Sequence, residues 1–226
     1  MVMVWIMILG LVSYAGFLLW QNKIKLGEIW DYIIHRSEYN KCGKGGERSL
    51  FLALRRLGLP EEQIFRNVYI PALDNNGCTN GKTTEIDIVV LSKKGVLIFE
   101  HKTYAGRIYG DGKAKKWVHY VGGKRYIFLS PVEQNRYHKF CLDRFLQGCL
   151  PIYTFITYSR CGNWRVKNLP KDAHFLDGAG QLMKIYNELP SVNISKNKFY
   201  ELQGVLAKLS RPNNEVVEQH IAKYGK

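Results

Sequence analysis

Two apolar runs joined by a four-residue turn constrain this chain more than any other feature. Ile86-Asp-Ile-Val-Val-Leu91 and Val96-Leu-Ile-Phe99 flank Ser92-Lys-Lys-Gly95, a turn with its glycine where a hairpin needs one. The second run is apolar at every position, as in a strand buried on both faces. The surrounding pattern predicts an α/β layer built on a mixed sheet. A helix Glu47–Leu57 ends at Gly58 and Pro60, and a strand Ile64–Ile70 ends at Pro71. A polar loop follows over Asp74–Lys82, then the hairpin strands Thr84–Leu91 and Gly95–Lys102. Shorter strands are predicted at Arg107–Tyr109, Trp117–Val121 and Arg125–Leu129, the last two flanking Gly122-Gly123. A helix Val132–Gln147 and a strand Ile152–Tyr158 come next, and from Gly178 onward the pattern is helical, roughly 179–188, 196–209 and 214–223.

Charged side chains sit inside this apolar frame. Glu100 and Lys102 are two apart on one strand, so both leave the same face, and His101 leaves the other. Asp87 lies within the apolar partner strand across the hairpin. Glu47 shares a helix face with Leu50, Phe51, Leu54 and Leu57, and so points toward the core. Buried charges are costly unless they pair or bind something. Three carboxylates on core-facing positions form a cage for a hard divalent cation: Mg²⁺, with Mn²⁺ as the alternative ion, because every ligand is oxygen. A lysine beside such a cage can orient or deprotonate water. Each residue alone has a plain structural account. The E-x-K spacing is common, Glu47 in a first helical turn complements the helix dipole, and Asp87 could face solvent. The combination is harder to dismiss.

The first 22 residues carry no charged side chain. Twenty helical residues span about 30 Å, the thickness of a bilayer core, and Trp5 and Trp20 stand where interfacial aromatics belong. A single transmembrane helix over 1–22 is therefore expected. A cleaved signal peptide is the rival reading, disfavoured because no basic region precedes the apolar run. Lys23 and Lys25 follow the run, so the positive-inside rule places the remainder in the cytoplasm. Residues 23–41 read as a juxtamembrane amphipathic helix or linker, with Leu26, Ile29, Trp30, Ile33 and Ile34 at helical spacing. Cysteine usage agrees. Cys42, Cys78, Cys141, Cys149 and Cys161 are odd in number and contain no C-x-x-C pair, so neither a disulfide framework nor zinc is expected. His138 and Cys141 lie one helical turn apart without a second ligand pair, and read as core and surface residues.

The formal charge of +14 is unevenly spread, and most of it falls between His101 and Lys171. Arg107, Lys113, Lys115, Lys116, Lys124, Arg125, Arg136 and Lys139 belong to this stripe, interleaved with Tyr104, Tyr109, Trp117, Tyr120 and Tyr126. Cations with stacking rings suit single-stranded or distorted nucleic acid. Anionic lipid is the competing polyanion.

Five motifs in order carry a resemblance: Gly43-Lys-Gly-Gly46-Glu47, Glu85-Ile-Asp87-Ile-Val-Val, Gly95-Val-Leu-Ile-Phe-Glu100-His-Lys102, Gly106-Arg-Ile-Tyr-Gly110 and Ser130-Pro-Val-Glu-Gln134. The stretch 42–158 resembles the nuclease-related domain (NERD) family of the PD-(D/E)XK nuclease superfamily. The resemblance implies a restriction-endonuclease-like αβββαβ core with a mixed sheet, preceded by the membrane helix and followed by a mainly helical region, 159–226. It implies that Asp87 and Glu100 bind metal and Lys102 serves the attacking water. Glu47 would be an additional carboxylate, and Gln134 would face the site or the substrate backbone from the following helix. The family pattern usually has an aliphatic residue where His101 stands, and alternation makes His101 a packed, hydrogen-bonded side chain. The function expected is a membrane-anchored Mg²⁺-dependent nuclease acting on DNA, or on RNA. The alternatives are a catalytically weak nucleic-acid-binding or membrane-tethering module, and an interaction protein using its C-terminal helices.

Overall fold

The hairpin of the two apolar runs lies at the centre of the sheet. In the computed structural model, which describes residues 44–176 and 179–210, strand β2 (Thr79–Ser92) turns directly into β3 (Gly95–Asp111). Around them come helix α1 (Lys44–Arg56), β1 (Ile64–Leu73), β4 (Lys116–Val121), β5 (Lys124–Leu129), α2 (Pro131–Phe145), β6 (Ile152–Lys167), β7 (Ala173–Leu176), α3 (Ala179–Glu188) and α4 (Lys196–Leu209). The sheet is mixed. Strands β1 to β5 follow one another antiparallel, while β6 runs parallel to β3 and β7 parallel to β6.

The continuous apolar run of β3 is explained by a layer on each side. Val96 and Ile98, with Val89 and Leu91 of β2, pack against Cys141 and Leu142 of α2 and Leu202 and Leu206 of α4. Leu97 and Phe99, with Ile88 and Val90, pack against Leu50 and Leu54 of α1 and Leu182 of α3. A third cluster, Ile108, Trp117, Val132, Ile156 and Phe175, fills the far end of β3. The described residues thus form an α/β fold with four α-helices.

The structure differs from the expectations at several points. Strand β1 continues through Pro71 to Leu73. Among the described residues it pairs only with β2, and its register shifts between Pro71 and Leu73. An edge strand with an irregularity tolerates a proline that lacks an N–H. The polar loop is shorter than predicted: Asp74 Oδ1 accepts the amides of Asn76 and Cys78 at 2.8 and 2.9 Å, closing a tight turn, and β2 begins at Thr79. Strand β6 extends past Tyr158 to Lys167, and β7 follows. The region 159–226 therefore opens with strands that complete the sheet, and helices α3 and α4 come only after them. Among the described residues no helix is long and apolar enough to cross a membrane. The segments 1–22, 23–41 and 214–223 lie outside the described residues.

Two motif glycines have steric reasons. Gly106 has φ +88°, and a Cβ there would collide with the Tyr120 carbonyl of β4. A Cβ on Gly110 would enter the Trp117 ring. Both allow β4 to lie tightly against β3.

Candidate active site

Strand β3 has two edges, and β6 occupies one of them along almost its whole length. On the other, β2 pairs as far as Ile88↔Phe99, and β4 takes over only from Tyr120↔Arg107. Between these ladders β2 has turned away to follow β1. Asp87, Glu100 and Lys102 lie at this fork, and Glu100 faces α2, where His138 approaches it.

The Asp87 Oδ2 oxygen accepts the His101 backbone N–H at 2.7 Å, so a carboxylate replaces the strand partner at that point. Glu100 is buried, 3% exposed, and its Oε1 lies 2.5 Å from Lys102 Nζ. Burial, followed by the Glu100 charge, holds the Asp87 carboxyl well above its ordinary value. The His101 amide and Lys102 oppose the shift, and Glu47 adds to it from the first turns of α1. Burial pulls the Lys102 ammonium down, but its contact with Glu100 and the charge of Asp87 outweigh this and leave it above its ordinary value. Lys102 is therefore a cation here, able to donate hydrogen bonds.

His101 points to the other face. Its Nδ1 and Thr157 Oγ1 share a hydrogen bond at 2.7 Å. Burial, opposed by Glu100 and assisted by Lys102, lowers it to about 4. It is a neutral, packed histidine, as alternation along the strand implied.

Helix α2 closes the site from above and brings a residue that the sequence reading set aside. The buried face of α2 carries Asn135, His138, Cys141 and Leu142. His138, 5% exposed, places Nδ1 3.6 Å from Glu100 Oε2. Asn135 Nδ2 donates to the Phe155 carbonyl at 2.8 Å and ties the helix to β6. Gln134 is half-buried one position before Asn135. The signal that could have found His138 is the i, i+3, i+7 spacing of Asn135, His138 and Leu142 on one helical face.

Among the described residues no three His, Cys, Asp or Glu side chains are grouped as a metal site. Glu47 and Glu100 both stand close enough to Asp87 to raise its carboxyl, while Lys102 contacts one oxygen of Glu100 and the His101 amide one of Asp87. Buried Glu100 and half-buried Asp87 are neighbours, and this oxygen-only donor set suits an ion that usually takes one or two carboxylates, waters and substrate oxygens.

Of the basic residues, Arg107, Lys113, Lys115, Lys116, Lys124 and Arg125 are exposed on β3, on the β4–β5 hairpin and on the turn before it. Arg136 pairs with Glu133 at 2.5 Å and Lys139 approaches Asp172 at 3.4 Å, so these two meet acids of their own surface. Trp117 is not available as a stacking ring. It is 1% exposed and its Nε1 donates to the Asp111 carbonyl. Tyr104, His119 and Tyr126 form a continuous stack across β3, β4 and β5, with centroids 4.8 and 4.9 Å apart and planes within 16°.

A family model described as nuclease-related domain matches residues 43–159. An uncharacterized protein of Bacillus anthracis is 24% identical over 180 residues, which cover 79% of this chain and 82% of that protein. No solved structure matches.

Proposed function

Because the chain belongs to the nuclease-related domain family, we propose that it is a metal-dependent nuclease hydrolysing phosphodiester bonds, in DNA first and RNA second. The observation that carries the reading is the Glu100–Lys102 ion pair beside Asp87 at the fork of β2 and β3. The order α1, β1, β2, β3, α2, β6 also follows the αβββαβ order of a restriction-endonuclease-like core, with the β4–β5 hairpin and β7 added.

In this reading Asp87 and Glu100 would hold Mg²⁺ or Mn²⁺, with Glu47 nearby. When bound, such an ion neutralises phosphodiester charge and eases the ionisation of water. Lys102, held protonated by Glu100, donates from Nζ to the attacking water or to a phosphate oxygen. His138 packs beside Glu100 Oε2 and limits the rotamers open to that carboxylate. Gln134 stands at the margin, within reach of a substrate backbone. Helix α2 excludes water from the Glu100 side. The uncharged segment 1–22 serves as a membrane anchor, and Lys23 and Lys25 assign the rest of the chain to the cytoplasmic side.

A second reading is supported by the exposed cations of the β4–β5 hairpin and the turn before it, which would hold a polyanion without chemistry at the fork. It is a nucleic-acid-binding module with weak or no catalysis. Incubation of the full chain with plasmid, single-stranded DNA and RNA, with Mg²⁺, Mn²⁺ or chelator, decides between them. The nuclease reading expects cation-dependent cleavage that Lys102→Ala abolishes. Intact substrates that are nevertheless retained on the protein would establish the binding module instead.

A further inference from the structure

The β4–β5 hairpin carries a feature that the proposed chemistry at the fork does not use. Tyr104 lies two residues beyond Lys102, on the same face of β3. His119 of β4 stacks on it with centroids 4.8 Å apart, and Tyr126 of β5 stacks on His119 at 4.9 Å. The register sets this stack, since His119 and Tyr126 are directly opposed across the hairpin. Phe128 leans on Tyr104 and on His119 from the side and holds the rings in place. The stack ends at the sheet edge, where Tyr126 is 44% exposed. A row of planar rings at strand spacing, open at its outer end, is a seat for one more planar ring.

Charge identifies what supplies that ring. Between Gly112 and Leu129 the chain has Lys113, Lys115, Lys116, Lys124 and Arg125 and no acidic residue, and all five cations are exposed. An occupant that is polyanionic and aromatic at once is a nucleic-acid strand. We infer that the hairpin binds an unpaired nucleotide strand, stacking a base on the outer face of Tyr126 while Lys124, on the same face as Tyr126, and the exposed Lys113 and Lys115 of the preceding turn take its phosphates. This deepens the proposed nuclease reading and rests on it for its consequence. The stack leads in about two strand spacings, roughly 10 Å, from Tyr126 to the strand that carries Glu100 and Lys102. The substrate class is then single-stranded nucleic acid, because a base within a duplex has both faces covered by its neighbours. Lipid is the competing polyanion, and it would meet the hairpin's other face, where Tyr120, Ile127 and Leu129 are exposed.

The test is binding by the full chain in chelator, so that no cleavage enters the measurement. Fluorescence anisotropy compares a labelled oligothymidine with a blunt duplex of equal length, and sedimentation measures retention on phosphatidylserine vesicles. The single strand is expected to bind about tenfold more tightly than the duplex, and Tyr126→Leu to lose about tenfold while Tyr126→Phe loses little. Equal affinity for the two oligonucleotides overturns the inference, as does wild-type affinity in Tyr126→Leu. Retention on vesicles without binding of oligothymidine also overturns it. The wild-type comparison stands even if a variant fails to fold. Single-strand preference without cleavage in Mg²⁺ would leave this inference intact and defeat the nuclease reading. Cleavage of duplex and single strand at equal rates would do the reverse.

Discussion

The Asp87 carboxylate accepts the backbone N–H of His101 at 2.7 Å, so a side chain caps the edge of β3 at the point where its neighbouring strand departs. This contact fixes Asp87 next to Glu100 in a buried setting that raises its pKa. In the window between the ordinary value and the folded one, the folded state binds the extra proton. Stability therefore falls as pH rises through that window. Asp87→Asn is expected to raise the melting temperature at pH 7, by about 2–4 °C for each kcal/mol relieved, while abolishing cation-dependent cleavage. Mg²⁺ should raise the melting temperature of the wild type and not that of the variant. Calorimetry with and without the ion checks both.

His101 gives the opposite pH dependence. Its folded value of about 4 lies below the ordinary 6.5, so the unfolded state binds more protons in between. The stability associated with neutral His101 is present above pH 6.5 and is lost as pH falls toward 4, by up to about 3 kcal/mol. Urea unfolding across this range should show a shallower pH slope for His101→Gln than for the wild type.

His138 touches no substrate in the proposed mechanism but stands 3.6 Å from Glu100 Oε2. Partners of this kind tune the carboxylates they orient, and their loss costs about 10–100-fold. His138→Ala is expected to cut cleavage by that factor at saturating Mg²⁺ and to raise the Mg²⁺ concentration needed for half-maximal rate. Lys102→Ala removes a donor at the reacting centre, and there the expected loss is about 100-fold or more. An unchanged Mg²⁺ requirement in His138→Ala would mean the residue is only packing.

Glycines separate by position. Gly110→Ala drives a methyl into the buried Trp117 ring and is expected to cost about 1–3 kcal/mol or more. Gly204→Ala on α4 meets no heavy atom within 4 Å and should stabilise the chain by up to about 1 kcal/mol, because glycine is a poor helix former. Denaturation midpoints of the two variants should move in opposite directions.

Much of the scaffold was legible where one force dominates. The runs around Ser92–Gly95 gave the central hairpin, Gly122-Gly123 gave the second one, and α3 and α4 fall within the ranges their apolar periodicity predicted. Residues defined by tertiary partners were not legible. Thr79–Lys82 looks like a loop, yet it extends β2 because β1 lies beside it. The polar, basic stretch after Tyr158 has no strand pattern and is held extended by its parallel ladder to β3. At the candidate site, Glu100 and Lys102 could be placed on one face by alternation alone. That Lys102 would neutralise Glu100 rather than leave it open, and that His138 would arrive from another element, depends on distances no local pattern contains.

The parallel ladder has a further consequence, in the order of assembly. Val96 pairs with Ile152 and Asp111 with Lys167, so the second edge of β3 is filled only after the whole intervening segment has formed and closed back on it. Long-range parallel pairing is kinetically slow, because chain closure must precede the contacts that reward it. The hairpins can form locally and early, but Glu100 is buried only when α2 and β6 dock. During synthesis the chain would carry its acidic residues for some time before they are brought together, and the β4–β5 hairpin would be complete before them.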